Sequence, residues 1–483
     1  MEASHSVKLV RCGIQSYIGS DQKVYSQPAH RFSNLAPFGM QCMKITLVGG
    51  GSFAWTPAIV KDMLMSPALR GAEFVLYDIN RAASDLTKAY LDTAAERMGI
   101  QASIVSTDRQ AAALDHADYV IITISTGGLE AMRHDLAIPE KFGVYHTVGD
   151  TCGPGGWART IRNFDTFMAM AQAFNRHCPK AMILNYTNPM ITLTDVLARV
   201  CKGPVIGLCH GLFENLRFIR QFYKLKSEDE ISVKYAGINH FFWTTQARAR
   251  GVDVIADLKS RLKTKGFSEL LREPHMDRLG FKSNREVATE LFRQTGVMPY
   301  LGDRHTCEWF PRYITSRENM RKHKIERTPI SDRVKWRRDA EKLLRNRIAG
   351  KGWPDKFERT RETAADIIEA HSQGKVFIDV GNLPNIGQIS NLPVGAVVET
   401  AVRVDRNGFS PIAFGPLPEP VRAVVAPWCH VMTMLVDAIF ARDRRQVMQA
   451  LRLDPVCAGL NDQQVDAMGN QLLKAHQKFI ARI

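Results

Sequence analysis

Two short segments bring together the residue types that hold metals: Gly207-Leu208-Cys209-His210-Gly211 and, about thirty residues later, Gly237-Ile238-Asn239-His240. A thiolate from Cys209 and an imidazole from His240 suit a borderline-soft divalent ion, manganese first, with cobalt, nickel or iron as alternatives. Upstream, Gly49-Gly50-Gly51-Ser52-Phe53-Ala54 fits GxGxxA. In that pattern Gly49 permits the tight turn, Gly51 lets backbone approach a pyrophosphate, and Ala54 allows a helix to pack on its strand. The helix that follows would aim the unpaired N–H groups near Ser52 and Phe53 at the phosphates. Asp78, at the end of the next apolar run, is expected to bind both ribose hydroxyls. A carboxylate there repels a 2'-phosphate, so NAD is expected rather than NADP. A hydride acceptor beside a Lewis acid can loosen a carbon–hydrogen bond that neither loosens as easily alone. Spacing alone leaves blander readings open: an inert buried thiol, a structural histidine, a structural turn.

The elements that must position these residues alternate. Short apolar runs at 43–48, 73–77, 103–105 and 119–124 read as strands. Helical patterns at 53–65, 84–98 and 108–114 lie between them. Another helix is expected at 164–175, then a strand at 181–185, a helix at 191–200 and a strand at 205–208. This order is that of a Rossmann-type parallel sheet with helices on both faces. The candidate sites all follow strands: 49–52, Asp78, the loop Ser125-Thr126-Gly127-Gly128, Asn185-Tyr186-Thr187-Asn188-Pro189 and 209–211. Ligands in such sheets bind beyond the carboxyl ends of strands, and the agreement among five segments outweighs any one motif. Thr126 and Gly127 are therefore assigned to the cofactor, and Asn188, whose amide can donate to one hydroxyl and accept from another, to a substrate. Past about residue 230 the pattern becomes mixed. The expected division is an N-terminal extension (1–42), a Rossmann-type NAD-binding domain (43–230), and a mixed α+β domain (231–483) for substrate, metal and oligomerisation.

Composition narrows the partners. The 483 residues are 45% hydrophobic and 23% charged, ordinary for a folded protein, and no run approaches the 18 or so apolar residues of a membrane span. Nine cysteines, an odd number without regular spacing, argue against a disulfide framework and for a reducing cytoplasm. The formal charge is +15. The densest basic stretch, Arg333 to Arg347, alternates with apolar residues at helical spacing and reads as the wet face of a helix. No nucleic-acid motif accompanies it. A positive field that draws in a small anionic substrate is the reading adopted, with neither nucleic acid nor membrane as partner.

The motifs together resemble glycoside hydrolase family 4, the NAD- and divalent-metal-dependent glycosidases. The matching stretches are KITLVGGGSFAWTP (44–57), YDIN (77–80), GDTCGPGG (149–156), NYTNP (185–189), GLCHG (207–211), GINHF (237–241), GDRHTCEWFP (302–311) and NIGQISNLP (385–393). They run in the expected order, and the set is more specific than any member. The resemblance implies a fold like that of lactate and malate dehydrogenases, with an enlarged substrate domain and, by analogy, a homodimer or homotetramer. It implies Cys209 and His240 as metal ligands and Asn188 near the reacting hydroxyls. It implies a tyrosine base, for which Tyr300 is the first candidate and Tyr313, Tyr186 and Tyr145 are alternatives. The implied chemistry is oxidation at C3, loss of the C2 proton, elimination at C1, water addition and re-reduction, without the paired carboxylates of ordinary glycosidases. His210, beside Cys209, is a candidate acid for the leaving oxygen, with metal ligand and hydrogen-bond donor to substrate as its alternative roles.

The residue after Cys209 varies among subgroups of that family. Cys-His-Gly resembles its α-glucuronidase and α-galacturonidase members, whereas members acting on phosphorylated sugars tend to carry Asn or Asp there. Arg304, followed by His305, offers a fixed fork for a planar carboxylate or a sulfonate. Arg133, Arg159 and Arg162 are further candidates for the same pocket. The expected substrate is an anionic, non-phosphorylated glycoside: a uronoside first, a sulfoquinovoside second, a neutral α-galactoside third. A plain NAD-dependent 2-hydroxy acid dehydrogenase is the alternative from another class, although it has no evident need for Cys209.

Overall fold

Strand β1 (Lys44–Val48) is buried along four of its five residues and β4 (Tyr119–Ile122) along all four, as expected for strands covered on both faces. The computed structural model describes residues 43–271, 275–276 and 282–480; the expected extension, residues 1–42, lies outside them. With β2 (Glu73–Tyr77), β3 (Ser103–Thr107), β5 (Met182–Asn185) and β6 (Val205–Gly207), these strands form a parallel sheet in the order β6-β5-β4-β1-β2-β3. This is the doubly wound Rossmann order. The register aligns the carboxyl ends: Val48 pairs with Tyr77 and with Ile122, Ile122 with Asn185, and Asn185 with Gly207. The loops after these strands therefore leave the sheet along one edge.

Helices α1 (Trp55–Leu64), α2 (Arg81–Arg97), α3 (Gln110–Leu114), α4 (Gly128–Glu140), α5 (Gly153–His177), α6 (Met190–Val200) and α7 (Gly211–Phe222) cover the sheet. Asn80 caps α2, its side chain accepting from the Ala83 N–H. Helix α5 starts well before the expected Phe164, inside Gly153-Pro154-Gly155-Gly156. The glycines are there for proximity. A Cβ on Gly155 would lie 2.9 Å from the Gly149 carbonyl oxygen, and one on Gly156 2.6 Å from the Thr151 backbone. Small residues thus let loop 149–151 lie directly on the first turn of the helix.

The antiparallel part continues the same sheet. Hairpin strands β7 (Ile231–Ile238) and β8 (Phe241–Ala249) are joined to β6 through a second hairpin, Phe377–Pro384 with Val397–Asp405, which sits between β6 and β7. Helix Glu419–Phe440 corrects one expectation. Among the described residues it is the one helix long and apolar enough to cross a membrane. Its sequence is interrupted by Arg422, His430 and Asp437, which hid it from a search for continuous runs. Here Val421, Val425, Trp428 and Met432 enter one core cluster, and Leu435, Val436 and Ile439 enter another. The helix ties the two cores together.

Candidate active site

The glycine turn is built from backbone. The N–H groups of Gly49 and Gly50 both donate to the Tyr77 carbonyl at 2.9 Å, and Gly51 N–H donates to Asp78 Oδ2 at 2.9 Å. Gly49 lies in the left-handed region (φ +97°), where a side chain would also meet Thr123. Gly50, which GxGxxA leaves open, is as tightly placed as Gly51: a Cβ on Gly50 would sit 2.7 Å from Leu76 Cα, and one on Gly51 2.7 Å from Ala83 Cβ. Ala54 does not pack on the strand as expected. It is exposed at the N-cap of α1, and Gly50 supplies the close contact instead. The Ser52 hydroxyl accepts from Trp55 N–H at 3.4 Å, and Phe53 is half-buried against the core. Asp78 Oδ1 accepts from Asn80 N–H at 2.8 Å. Across the cleft, Thr126 N–H donates to Asn163, and Gly127, left-handed at φ +78°, closes against the Phe479 ring.

The second half is built from side chains. Asn239 and His240 form the two-residue turn between β7 and β8, with His240 in the left-handed region at φ +61°. That conformation costs a non-glycine residue roughly 1–2 kcal/mol. His240 Nδ1 lies 3.0 Å from Thr151 Oγ1, which donates to Asp150 Oδ1 at 2.9 Å. The relay makes Nδ1 the protonated nitrogen and leaves Nε2 as a lone pair for an ion. Burial holds the His240 imidazole below its usual pKa and therefore neutral. The His305 ring lies 4.0 Å from that of His240, and the Tyr300 ring 6.0 Å from it. Ligand atoms of Asp150, His240 and His305 all fall within 4.8 Å of one another.

Cys209 leaves β6 and meets the Gly211 N–H and the Asn239 side chain, so its thiol abuts the neighbour of His240. Burial, then the nearby Glu399 carboxylate, push the thiol far above its usual pKa. Burial likewise lifts Glu399 to about 7. A thiol placed next to the turn that carries a neutral imidazole suits a divalent cation, since an ion would draw out the thiolate. His210, capping α7, lies 3.8 Å from Glu362 Oε1 with its ring 5.8 Å from that of Trp55.

Loop 146–151 is held by one buried carboxylate. Glu308 Oε1 accepts from the N–H groups of Thr147, Val148 and Gly149 at 2.8–2.9 Å and from His146 Nδ1 at 3.2 Å. This orients Asp150. Burial alone would raise the Asp150 pKa, but the Arg159 and Arg333 guanidinium groups hold it well below the carboxylate range. Asp303 serves the helix that follows Arg285 from a distance: its oxygens accept from Val287 and Ala288 N–H in the first turn of helix Glu286–Thr295.

The arginines separate clearly. Arg159 donates from Nε to the Asn188 carbonyl at 2.9 Å and from Nη2 to Ser125. Asn188 Oδ1 is buried and finds no hydrogen-bond partner among the described residues. Arg304 is buried, with Nη1 donating to Thr328. Arg162 is engaged behind the cofactor loop, donating to Asp135 Oδ1 at 2.6 Å and to the Thr126 carbonyl. Arg133 is 54% exposed on α4 and pairs with Glu130 one turn away. The sequence reading missed Arg333. It belongs to helix Ile330–Ile348, whose surface is charged nearly all round, yet its guanidinium turns inward beside Asp150, Arg159 and Arg304. Its buried Nε has no hydrogen-bond partner among the described residues. A signal existed: Arg333 shares a helical stripe with Ala340 and the buried Leu344.

The sequence model of the family 4 glycosyl hydrolases matches residues 44–225, and that of the family 4 glycosyl hydrolase C-terminal domain matches residues 235–457. The alpha-galacturonidase of Bacillus subtilis (strain 168) is 34% identical over 429 residues, covering 86% of this chain and 93% of that protein. An alpha-galactosidase of the same organism is 31% identical over 447 residues, covering 90% and 99%. The crystal structure of a 6-phospho-alpha-glucosidase from gut microorganisms, in complex with NAD and Mn2+, superposes with a TM-score of 0.77 at 20% identity, covering 92% of this chain and all of that one. At that identity the likeness speaks for the fold. Both halves match in order, and a relative above 30% identity is covered almost end to end; the chain belongs to glycoside hydrolase family 4 and is an enzyme of the glycosidase class.

Proposed function

We propose that the protein hydrolyses the glycoside of an anionic, non-phosphorylated sugar, an α-uronoside first, using NAD+ and a divalent ion, Mn2+ first. The observation that carries this reading is the meeting of Tyr300, His240 and His305 beside Asp150, with Arg159, Arg304 and Arg333 gathered at the same place. The glycine cradle fits a dinucleotide, because side chains at Gly49, Gly50 and Gly51 would strike Thr123, Leu76 and Ala83, so only glycines let this turn lie tight on the strand ends with its backbone open to a pyrophosphate. Cys209 and His240 fit a borderline-soft ion and would hold it. When bound, the two groups would supply hydride acceptance at C3 and polarisation of the oxygen there, which acidifies the C2 proton.

The chain's own residues divide the remaining work. Tyr300, flanking His240, would take the C2 proton. His210 would give a proton to the leaving oxygen at C1. The unpartnered Asn188 Oδ1 would accept from a sugar hydroxyl. Arg333, whose buried Nε has no hydrogen-bond partner among the described residues, is better placed than Arg304 to grip a carboxylate, because Arg304 already donates to Thr328. The same cations would suit a sulfonated sugar. The alpha-galactosidase relative supports a neutral α-galactoside as the second reading.

The test is turnover by protein loaded with NAD+ and Mn2+ under thiol reductant. An α-galacturonide should be cleaved with roughly 100-fold preference over the α-galactoside, the worth of a charge-assisted bidentate contact. No net NADH should accumulate. Steady NADH accumulation would instead fit a 2-hydroxy acid dehydrogenase, and an inverted preference would favour the galactosidase.

A further inference from the structure

A row of four residues crosses the sheet where its parallel and antiparallel parts join. Gly207 of β6 pairs with Asn382, Asn382 with Glu399, and Glu399 with Gly237 of β7. Asn382–Gly207 and Glu399–Gly237 are the single register pairs by which the inserted hairpin meets each outer strand among the described residues. Two residues past this row β6 reaches Cys209, and three past it β7 reaches His240. The backbone ladder at this seam is therefore thin where placement of the donor residues matters most.

Side chains reinforce it. Glu399 Oε2 accepts from Asn382 Nδ2 at 3.0 Å and from Asn239 Nδ2 at 3.3 Å. Asn382 Nδ2 also donates to the Gly207 carbonyl at 3.3 Å. Asn239 in turn meets the Cys209 thiol. The connection runs from Gly207 through Asn382, Glu399 and Asn239 to Cys209, so the β6 and β7 segments are tied across the hairpin. Glu399, Asn382 and Asn239 are fully buried. A buried carboxylate is costly, and an apolar residue of that size would pack there with less penalty, so its presence calls for a positional reason.

We infer that Glu399 is a positioning residue for the metal donors, fixing how the segment bearing Cys209 lies against the segment bearing His240 by holding Asn239 and Asn382 from a strand that belongs to neither. The inference rests on the metal reading above. Glu399 acts through Asn239. Glutamine should serve in its place, since one amide oxygen can accept from both asparagines; methionine, similar in size, should not.

The test measures Mn2+ affinity by the paramagnetic resonance of the free ion, in the full chain under reductant, with NAD+ affinity as the control for an intact fold. Glu399→Met should weaken Mn2+ binding about 10- to 100-fold, the usual cost of losing an outer-sphere partner, with NAD+ affinity unchanged. Glu399→Gln should stay within about threefold of wild type. Asn382→Ser, which cuts the arm to Gly207 and leaves Glu399 in place, should weaken Mn2+ about three- to tenfold and serves if the methionine variant does not fold. Wild-type Mn2+ affinity in a Glu399→Met protein that still binds NAD+, or in Asn382→Ser, overturns the inference alone. A wild-type protein that binds NAD+ but no Mn2+ overturns the metal reading and this inference with it.

Discussion

The cofactor cradle and the metal-sugar end of the cleft are made in different ways. The cradle, residues 48–54 with Asp78, is one contiguous turn whose donors are backbone N–H groups and whose tolerance is set by missing side chains. The other end draws Asp150, Cys209, His240, Tyr300, His305, Arg333 and Glu399 from segments far apart in the chain, and nearly every contact there is made by a side chain. A backbone-made site fails by crowding. A side-chain-made site fails by deletion. Substitutions in the two regions should therefore separate into independent losses of NAD+ and of Mn2+.

The largest expected effect falls on the side-chain end. His240→Ala and Cys209→Ser should each lower kcat on the order of 10³-fold or more and weaken Mn2+ binding, with NAD+ affinity within about twofold, because a Lewis acid contributes several kcal/mol to the transition state. Metal titration beside NAD+ titration checks the separation. Loss of NAD+ binding in these variants would merge the two regions.

Next comes the reverse case. Gly50→Val forces a side chain against the β2 backbone 2.7 Å away, and overpacking of this kind costs about 1–3 kcal/mol. Calorimetry should show a lowered Tm and NAD+ affinity reduced roughly tenfold or more, with Mn2+ affinity near wild type.

The two regions also differ in how legible they were. The cradle could be read because its residues are neighbours in sequence and glycine has few other reasons to recur in such a turn. Even there the pattern misassigned one role, since Ala54 is exposed and Gly50 makes the tight contact. At the other end, Cys209 and His240 were legible as motif residues; Tyr300 lies outside the matching stretches and was one of four candidate tyrosines, and the structure sets its ring 6.0 Å from that of His240. Arg333 was not, because a helix charged on most faces conceals which arginine turns inward. Glu399 was not, because its role depends on a hairpin inserted between β6 and β7, a topology that local periodicity does not encode. The start of α5 was missed because Gly-Pro-Gly-Gly signals a loop until the loop packed on it is known.

Arg333→Met should sharpen the account of the side-chain end. Removing a charge-assisted contact costs about 1.5–3 kcal/mol, so kcat/KM on an α-galacturonide should fall about 10- to 100-fold while the α-galactoside changes less than about threefold. Equal losses on both sugars would make Arg333 structural. The smallest effect belongs to Arg133→Ala. Its exposed pair with Glu130 contributes at most about 1 kcal/mol, and activity on either sugar should stay within about twofold.

The central claim is that hydride acceptance and ion polarisation act on one sugar ring. It is tested most directly by cleaving an α-galacturonide in D2O with enzyme stripped of nicotinamide and then reloaded with NAD+ and Mn2+. The account predicts background cleavage without NAD+, full cleavage on reloading, and deuterium at C2 of the released sugar. Undiminished cleavage by the stripped enzyme, or a product carrying only protium at C2, would contradict it.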